Sequence, residues 1–357
     1  MNPSLAAMVQ ALELQAGACA QLGSPFSATV ARAIAADIAA GGSFAALAEP
    51  WAGRDVRGLF ADATPLRFLG GLHFLALSGD APDLAAEYPP GKAEPDLARL
   101  GELIAATARQ HFETLARFVT SPPQTNEVNR SVCLGPGFLT VARRCRLPLR
   151  CLEIGASAGL NLNWDRYFYD LGDLGGWGDP TSPVRLGAEW SGAAPPFDVE
   201  ASVVERLGCD QNPIDVGSRD QALRLKAYVW PDQAERLARL DGAIALARRH
   251  PAKVEKADAA DWARSHAQGA PNTATVLYHS VVWSYLPAAT QAAITDAVFA
   301  AGESATDSQP FAWLRMEPDP ANLAAPLELK LNLWPGDGEI LLARVHPHGT
   351  KVSWIGD

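Results

Sequence analysis

The sequence predicts an α/β protein: an all-helical N-terminal region, then a doubly wound, mostly parallel sheet closed by an antiparallel C-terminal edge. Three observations carry that expectation. Apolar residues in the first 120 positions recur at helical spacing with hardly a strand signal among them. After residue 146, short apolar runs alternate with helical stretches, as in a parallel sheet with helical crossovers. The chain then finishes in alternating apolar and polar residues broken by tight turns, which is hairpin chemistry.

In the N-terminal region Leu5, Met8, Val9 and Leu12 form one apolar stripe, and Phe26, Val30, Ile34 and Ile38 form another. Leu97, Leu100, Ile104, Ala108, Phe112, Leu115 and Phe118 predict one long helix beginning after Pro95. Breaks at Ser24-Pro25, Gly41-Gly42 and Tyr88-Pro89-Pro90-Gly91 divide residues 1–120 into five or six helices. Residues 121–145 read as a connecting segment and a helix, and 146–357 as the sheet domain. LPLRCLEIG, a short apolar run ending in glycine, predicts the first buried strand. ASVVERLGCD (201–210), AKVEKAD (252–258), ATVLYHS (274–280) and FAWLRMEP (311–318) predict the next four. Helices are expected from Leu160 to Tyr169, Ala234 to Arg249 and Ala288 to Ala300. Residues 171–200 are dense in Gly, Pro and Trp without periodicity, so they form an ordered insertion. In the tail, Pro335-Gly336-Asp337-Gly338 makes a hairpin turn, and a second turn at His348-Gly349 leads to the last strand.

Bulk properties narrow the class. A chain of 357 residues has room for two domains with real cores. The formal charge of -10 is spread along the chain and argues against nucleic acid or anionic membrane as a main partner, since both need a basic face. Cys19, Cys133, Cys145, Cys151 and Cys209 are odd in number and form no C-x-x-C pair. MNPSLAAMVQALELQAG has no basic leader, and no apolar run reaches the roughly 18 residues of a membrane span. The expected setting is therefore a reduced cytoplasm, and the expected partner a small molecule.

The stretch LEIGASAGLN admits two readings. As G-x-S-x-G, with Gly155, Ser157 and Gly159, it matches the strand-to-helix turn that exposes a serine nucleophile. That turn normally follows several strands, whereas nearly everything upstream of Cys151 is helical. As an acid followed by small residues, it lets a nucleotide lie against bare backbone. Glu153 would then end the first strand, with Gly155 and Gly159 removing side chains from the turn. The second strand ends in Asp210, where a carboxylate can accept the two hydroxyls of a ribose. The third ends in Asp258-Ala259, suited to a purine edge, and the fourth in Tyr278-His279-Ser280.

LEIGASAGLNLNWDRY, ERLGCDQNPID, VWPDQAERLARLDGAI, DAADW, YHSVVWSYLP and LRMEP resemble, in order, blocks of an uncharacterised bacterial family, domain of unknown function 2332. The resemblance runs from about Gln124 onward. The family's sheet in turn resembles that of class I S-adenosylmethionine-dependent methyltransferases. By that resemblance the loop Glu153 to Gly159 holds the methionine end of S-adenosylmethionine, Asp210 the ribose, and Asp258 with Ala259 the adenine. YHSVVWSYLP would line the reaction centre. Two departures stand out: Ser157 replaces the usual middle glycine, and Asp210 lies 55 positions after Gly155, against roughly 20 in an ordinary dinucleotide fold.

Further candidates complete the expected site. His279 is placed to act as general base near neutral pH. Asn126, Glu127 and Arg130, in SPPQTNEVNRS, are either cap and turn residues or a roof over the cleft, with Glu127 and Arg130 facing substrate. Trp283, Tyr285 and Glu317 are expected beside the substrate; for Glu317 a salt bridge with Arg315 or a cap is the duller account. Trp164, Tyr167, Phe168 and Tyr169 are expected to pack on the sheet. His346 and His348 lack an evident third ligand, so no metal is expected. The functional expectation is a methyltransferase acting on a small molecule. A hydrolase using Ser157 and a non-catalytic binding module are the alternatives.

Overall fold

A computed structural model describes residues 3–90, 97–322, 325–336 and 338–356. Gly91, Pro95 and Asp337, on which parts of the expected punctuation rest, lie outside the described residues. The chain divides into two compact units, Met1–Thr125 with Gly217–Ala238 and Asn126–Val216 with Arg239–Asp357. The first is helical and the second holds the sheet.

The helical unit contains α1 (Ala6–Gln21), α2 (Pro25–Ala39), α3 (Ser43–Ala48), α4 (Val56–Ala61), α5 (Thr64–Ser78), α6 (Pro82–Glu87), α7 (Leu97–Gln110) and α8 (Phe112–Val119). These exceed the five or six helices expected because α3, α4 and α6 have six residues each. Fewer than two turns cannot display a periodic stripe. The single helix expected from Leu97 to Phe118 is broken at His111, whose backbone (φ -112°, ψ 27°) leaves the helical region. The stripe Phe26, Val30, Ile34 and Ile38 is buried with Leu5, Met8 and Leu12 in one apolar core. No single described helix is long and apolar enough to cross a membrane. Taken together, the bent pair Pro25–Ala39 and Ser43–Trp51 reaches that length and apolarity, and its apolar residues belong to that core.

In the second unit α9 (Ser131–Cys145) precedes β1 (Leu149–Ile154). The insertion carries β2 (Phe168–Asp170), β3 (Gly176–Trp177), β4 (Arg185–Leu186) and β5 (Glu189–Gly192). Then come β6 (Val203–Asp210), β7 (Lys253–Lys256), β8 (Ala274–Ser280), β9 (Phe311–Glu317), β10 (Leu327–Trp334), β11 (Glu339–Val345) and β12 (Lys351–Trp354). The later helices are α10 (Arg219–Ala227), which belongs to the helical unit, α11 (Ala234–Arg249), which begins in that unit and ends in the second, and α12 (Ala259–His266) and α13 (Ala288–Glu303) of the second. The main sheet has nine strands in the order β5-β12-β11-β10-β9-β8-β1-β6-β7. From β7 to β9 all neighbours are parallel. From β9 to β12 they are antiparallel, and β5 joins β12 in parallel at the edge. The mixed sheet thus has the parallel centre and antiparallel flank that the sequence pattern implied.

Every residue of β8 is buried, as a strand covered on both faces requires. Alternation sets the two faces. Tyr278 meets Phe138 of α9 on one, and Trp313 meets Phe299 of α13 on the other. The segment Gly217–Ala238, sequence-contiguous with the strands, packs with the helices instead. There Tyr228 of the α10 C-cap contacts Phe118, and buried His73 bonds the Ala227 carbonyl at 3.2 Å. Burial pushes His73 down to about 4.

Candidate functional site

The carboxyl ends of the central strands stand side by side because their register is shared. Ile154 aligns with Cys209 on β6 and with His279 on β8, and His279 aligns with Arg315 on β9. After β1 the chain turns through three left-handed residues, Gly155, Ser157 and Gly159 (φ 70°, 52° and 67°). The Ala156 amide donates to the Cys209 carbonyl at 3.0 Å. The Ser157 amide donates to Asp210 Oδ2 at 2.9 Å, and the Asn212 amide to Asp210 Oδ1 at 2.8 Å. The turn on β1 and the acid at the tip of β6 are therefore one bonded unit.

Neighbouring valines explain the two glycines. A Cβ on Gly155 would stand 2.7 Å from Val282 Cγ2, and one on Gly159 would stand 2.8 Å from Val254 Cγ2. The side-chain directions of these two glycines are thus taken by the protein's own valines. Ser157 is different: its hydroxyl is buried without a hydrogen-bond partner, although a left-handed backbone disfavours a side chain there.

Glu153 points to the α9 face, where Tyr278 donates its hydroxyl proton to Oε2 at 3.0 Å. Burial pushes the Glu153 carboxyl up to about 8; the Tyr278 bond and the Arg130 charge oppose this shift without cancelling it. Burial thus favours its neutral, protonated form. Burial likewise pushes the Cys209 thiol up to about 12, and the surrounding carboxylates of Asp210, Glu153 and Asp258 act in the same direction. Three of the predicted acids thus gather around one residue of β6.

His279 and Glu317 form a second half of the site. Nδ1 of the fully buried His279 lies 2.7 Å from Glu317 Oε1, which also accepts the Val282 amide at 3.1 Å. Glu317 does not pair with Arg315, which bonds Asn332 Oδ1 and Glu339 Oε2, each at 2.6 Å. Trp283 stacks on the His279 ring, centroids 4.8 Å apart and 13° from parallel. His279 Nε2 and Glu317 Oε2 are buried with no hydrogen-bond partner. Both residues line a cavity of about 470 Å³ between α13 and β9–β11. Val282 links the halves: its side chain covers Gly155 while its amide is held by Glu317. The preceding Val281 is itself left-handed (φ 53°), an outlier for a β-branched residue. Such strain persists where surrounding contacts impose it.

The remaining candidates take structural positions at the same edge. Asp258 caps α12, accepting the amides of Ala260 at 2.9 Å and Asp261 at 3.2 Å, and Ala259 is buried against the α12 core. Asn126 Oδ1 accepts the Leu160 amide at 2.9 Å. Glu127 accepts the Asn129 amide at 3.2 Å, and its carbonyl accepts from Asn161. Arg130 donates to the carbonyls of Pro347 at 3.0 Å and Ser280 at 3.2 Å. This segment ties the turn, β8 and the tail together. Tyr285 is 78% exposed and does not line the cavity. The helix expected from Leu160 to Tyr169 is a 3-10 helix to Arg166 followed by β2, which buries Tyr167 and Tyr169. The His346 and His348 rings lie 5.5 Å apart, and among the described residues no group of three or more His, Cys, Asp or Glu could hold a metal.

Sequence reasoning missed Trp313, Lys330 and Asn332, which also line this cavity. Their positions depend on strand register and on the β9–β10 pairing, for which the sequence carries no local signal.

A family model described as "Uncharacterized protein conserved in bacteria (DUF2332)" matches residues 9–354, so the chain belongs to that family. No curated protein and no solved structure matches it.

Proposed function

We propose that the chain binds S-adenosylmethionine at the carboxyl edge of β1, β6 and β7 and transfers its methyl group to a small molecule on the β8–β9 side. The observation that carries this reading is the bond from the Ser157 amide to Asp210. It joins a glycine-containing turn to an acid on the next strand, the pairing from which nucleotide sites are built. Sheet order supports it as well. In chain order the parallel strands run 3-2-1-4-5, reversing direction of growth between β1 and β8, and open α/β sheets bind ligands outside such a reversal.

Two features bear on the fit of the cofactor. The Ser157 hydroxyl is an orphaned donor within the turn. Two amides orient Asp210, and a carboxylate has about four acceptor sites. Asp210 would hold the ribose hydroxyls, the Gly155–Gly159 turn the amino-acid end, and Asp258 with Ala259 the base. When bound, the cofactor supplies an electrophilic methyl group. His279 then has a defined task. Glu317 holds Nδ1 and fixes the ring, leaving Nε2 as the atom that would take up a proton from the acceptor. Trp283 restricts the ring to one plane, and the buried setting excludes water. Much of the acceleration would come from alignment.

A serine hydrolase built on Ser157 has less support. Its nucleophile needs a hydrogen-bonded base, yet Ser157 Oγ and His279 Nε2 are each without a partner. Thermal unfolding with S-adenosylhomocysteine tests the proposal. A hundredfold excess over Kd stabilises the folded form by about 2.7 kcal/mol, so the midpoint rises, and Asp210→Ala abolishes the rise. No rise at millimolar ligand removes the methyltransferase reading and favours the non-catalytic one.

A further inference from the structure

We propose that the cavity beneath α13 is a binding site for a small organic cation, an amine carrying an apolar group. Its wall holds four carboxylates, Glu317, Asp319, Glu328 and Glu339, against two cations, Arg315 and Lys330. The cations are already engaged. Arg315 bonds Glu339 at 2.6 Å, and Lys330 contacts Glu328 at 2.8 Å and Glu339 at 3.2 Å. Among the described residues neither Glu317 nor Asp319 has a Lys or Arg within salt-bridge distance. Arg344 also approaches Glu328 at 3.8 Å, and among the described residues Glu317 pairs only with the His279 ring, so the uncompensated charge of the wall rests on Glu317 and Asp319.

Register sharpens the imbalance. Glu317 lies directly opposite Glu328 across the β9–β10 pair, and like charges so placed destabilise a sheet. Lys330 and Arg344 compensate Glu328, which leaves Glu317 as the member of the pair that a bound cation would balance. Independently of charge, two polar side chains that line the cavity are incompletely satisfied. Glu317 is 9% exposed and His279 0%, and Glu317 Oε2 and His279 Nε2 lack partners. Buried polar atoms are normally hydrogen-bonded, so each such exception calls for a ligand or a water. An ammonium group supplies donors for Oε2, which neither a carboxylate nor a hydrocarbon could do.

Part of the lining is aromatic. Trp283, Trp313 and Phe299 line the same space, and the Arg315 guanidinium already lies 3.9 Å from the Trp313 ring centroid, so these rings hold a cation well. A volume of about 470 Å³ suits a small metabolite. Cation binding stands independently of methyl transfer; only the identification of the amine as methyl acceptor rests on the reading above.

Calorimetric titration of the full chain near neutral pH, with no cofactor present, tests the inference using benzylamine, benzyl alcohol and benzoate. Benzylamine binds at least about tenfold more tightly than the other two, the difference one charge-assisted hydrogen bond makes. Glu317→Gln loses about tenfold for benzylamine, and its melting curve verifies folding. Asp319→Asn, which keeps the acceptor for the Ala321 amide, weakens benzylamine as a second variant. Equal affinity for all three compounds overturns the inference, as does no heat with benzylamine, or undiminished binding in both folded variants. If Glu317→Gln does not fold, the wild-type series and Asp319→Asn decide. Benzylamine binding beside a blank S-adenosylhomocysteine titration would sink the methyltransferase reading alone; the converse would sink this one alone.

Discussion

Substituting Glu153 by glutamine isolates the buried acid beside the turn. In the folded chain burial holds this carboxyl protonated up to about pH 8, against an ordinary value of 4.5. The folded value is the higher one, so the carboxyl favours the fold fully below about pH 4.5 and that advantage is lost as pH rises through 8. Each pH unit in this window withdraws about 1.4 kcal/mol, which accumulates to roughly 4–5 kcal/mol by pH 8. Glutamine has the same shape, retains an acceptor for the Tyr278 hydroxyl and has no proton to lose. Urea unfolding across the window reads the difference directly. Wild type and Glu153→Gln should agree to about 1 kcal/mol near pH 5, and by pH 8 the variant should be more stable by several kcal/mol. Parallel stability curves, or a variant weaker than wild type at pH 8, would refute the assignment of a neutral Glu153.

Three further substitutions examine the strand ends. Gly155→Ala combines a left-handed alanine with a contact 2.7 Å from Val282 and costs roughly 2–4 kcal/mol in unfolding free energy. Adding Val282→Ala recovers the contact part only, and full recovery would show that backbone conformation contributes nothing. Ser157→Gly relieves the left-handed serine and stabilises by up to about 1 kcal/mol. A fluorophosphonate probe should leave the wild-type protein unlabelled, and labelling that Ser157→Gly abolishes would restore the hydrolase reading. Asp258→Ala removes the acceptor for two α12 amides and costs about 1 kcal/mol; an unchanged melting midpoint would deny the cap.

Much of the sheet was readable because its strands end in local signals. LEIG and GCD mark the tips of β1 and β6, and ATVLYHS is apolar enough to announce a strand buried on both faces. Period and punctuation cannot report pairing between distant segments. The His279–Glu317 contact spans 38 positions and exists only because β8 and β9 are parallel neighbours. For the same reason both residues were nominated separately and not as a pair. The alliance of β5 with β12, and of Gly217–Ala238 with the helical unit, are likewise products of tertiary packing. The glycine turn was located correctly, yet two of its small residues answer to Val282 and Val254, which no linear motif could indicate. Asp258 served both readings equally in sequence, since an acid before a helix is an N-cap whatever else it does.

Convergence of separate strand tips on one adenosyl group makes a claim about which backbone amides a ligand covers. Amide hydrogen exchange, followed by mass spectrometry with and without S-adenosylhomocysteine, resolves those segments individually. The account predicts slowed exchange together in 155–160, at 210–213 and around 258–261, while α1 and α2 are unaffected. Protection in none of these segments, or in one of them without the others, would contradict it.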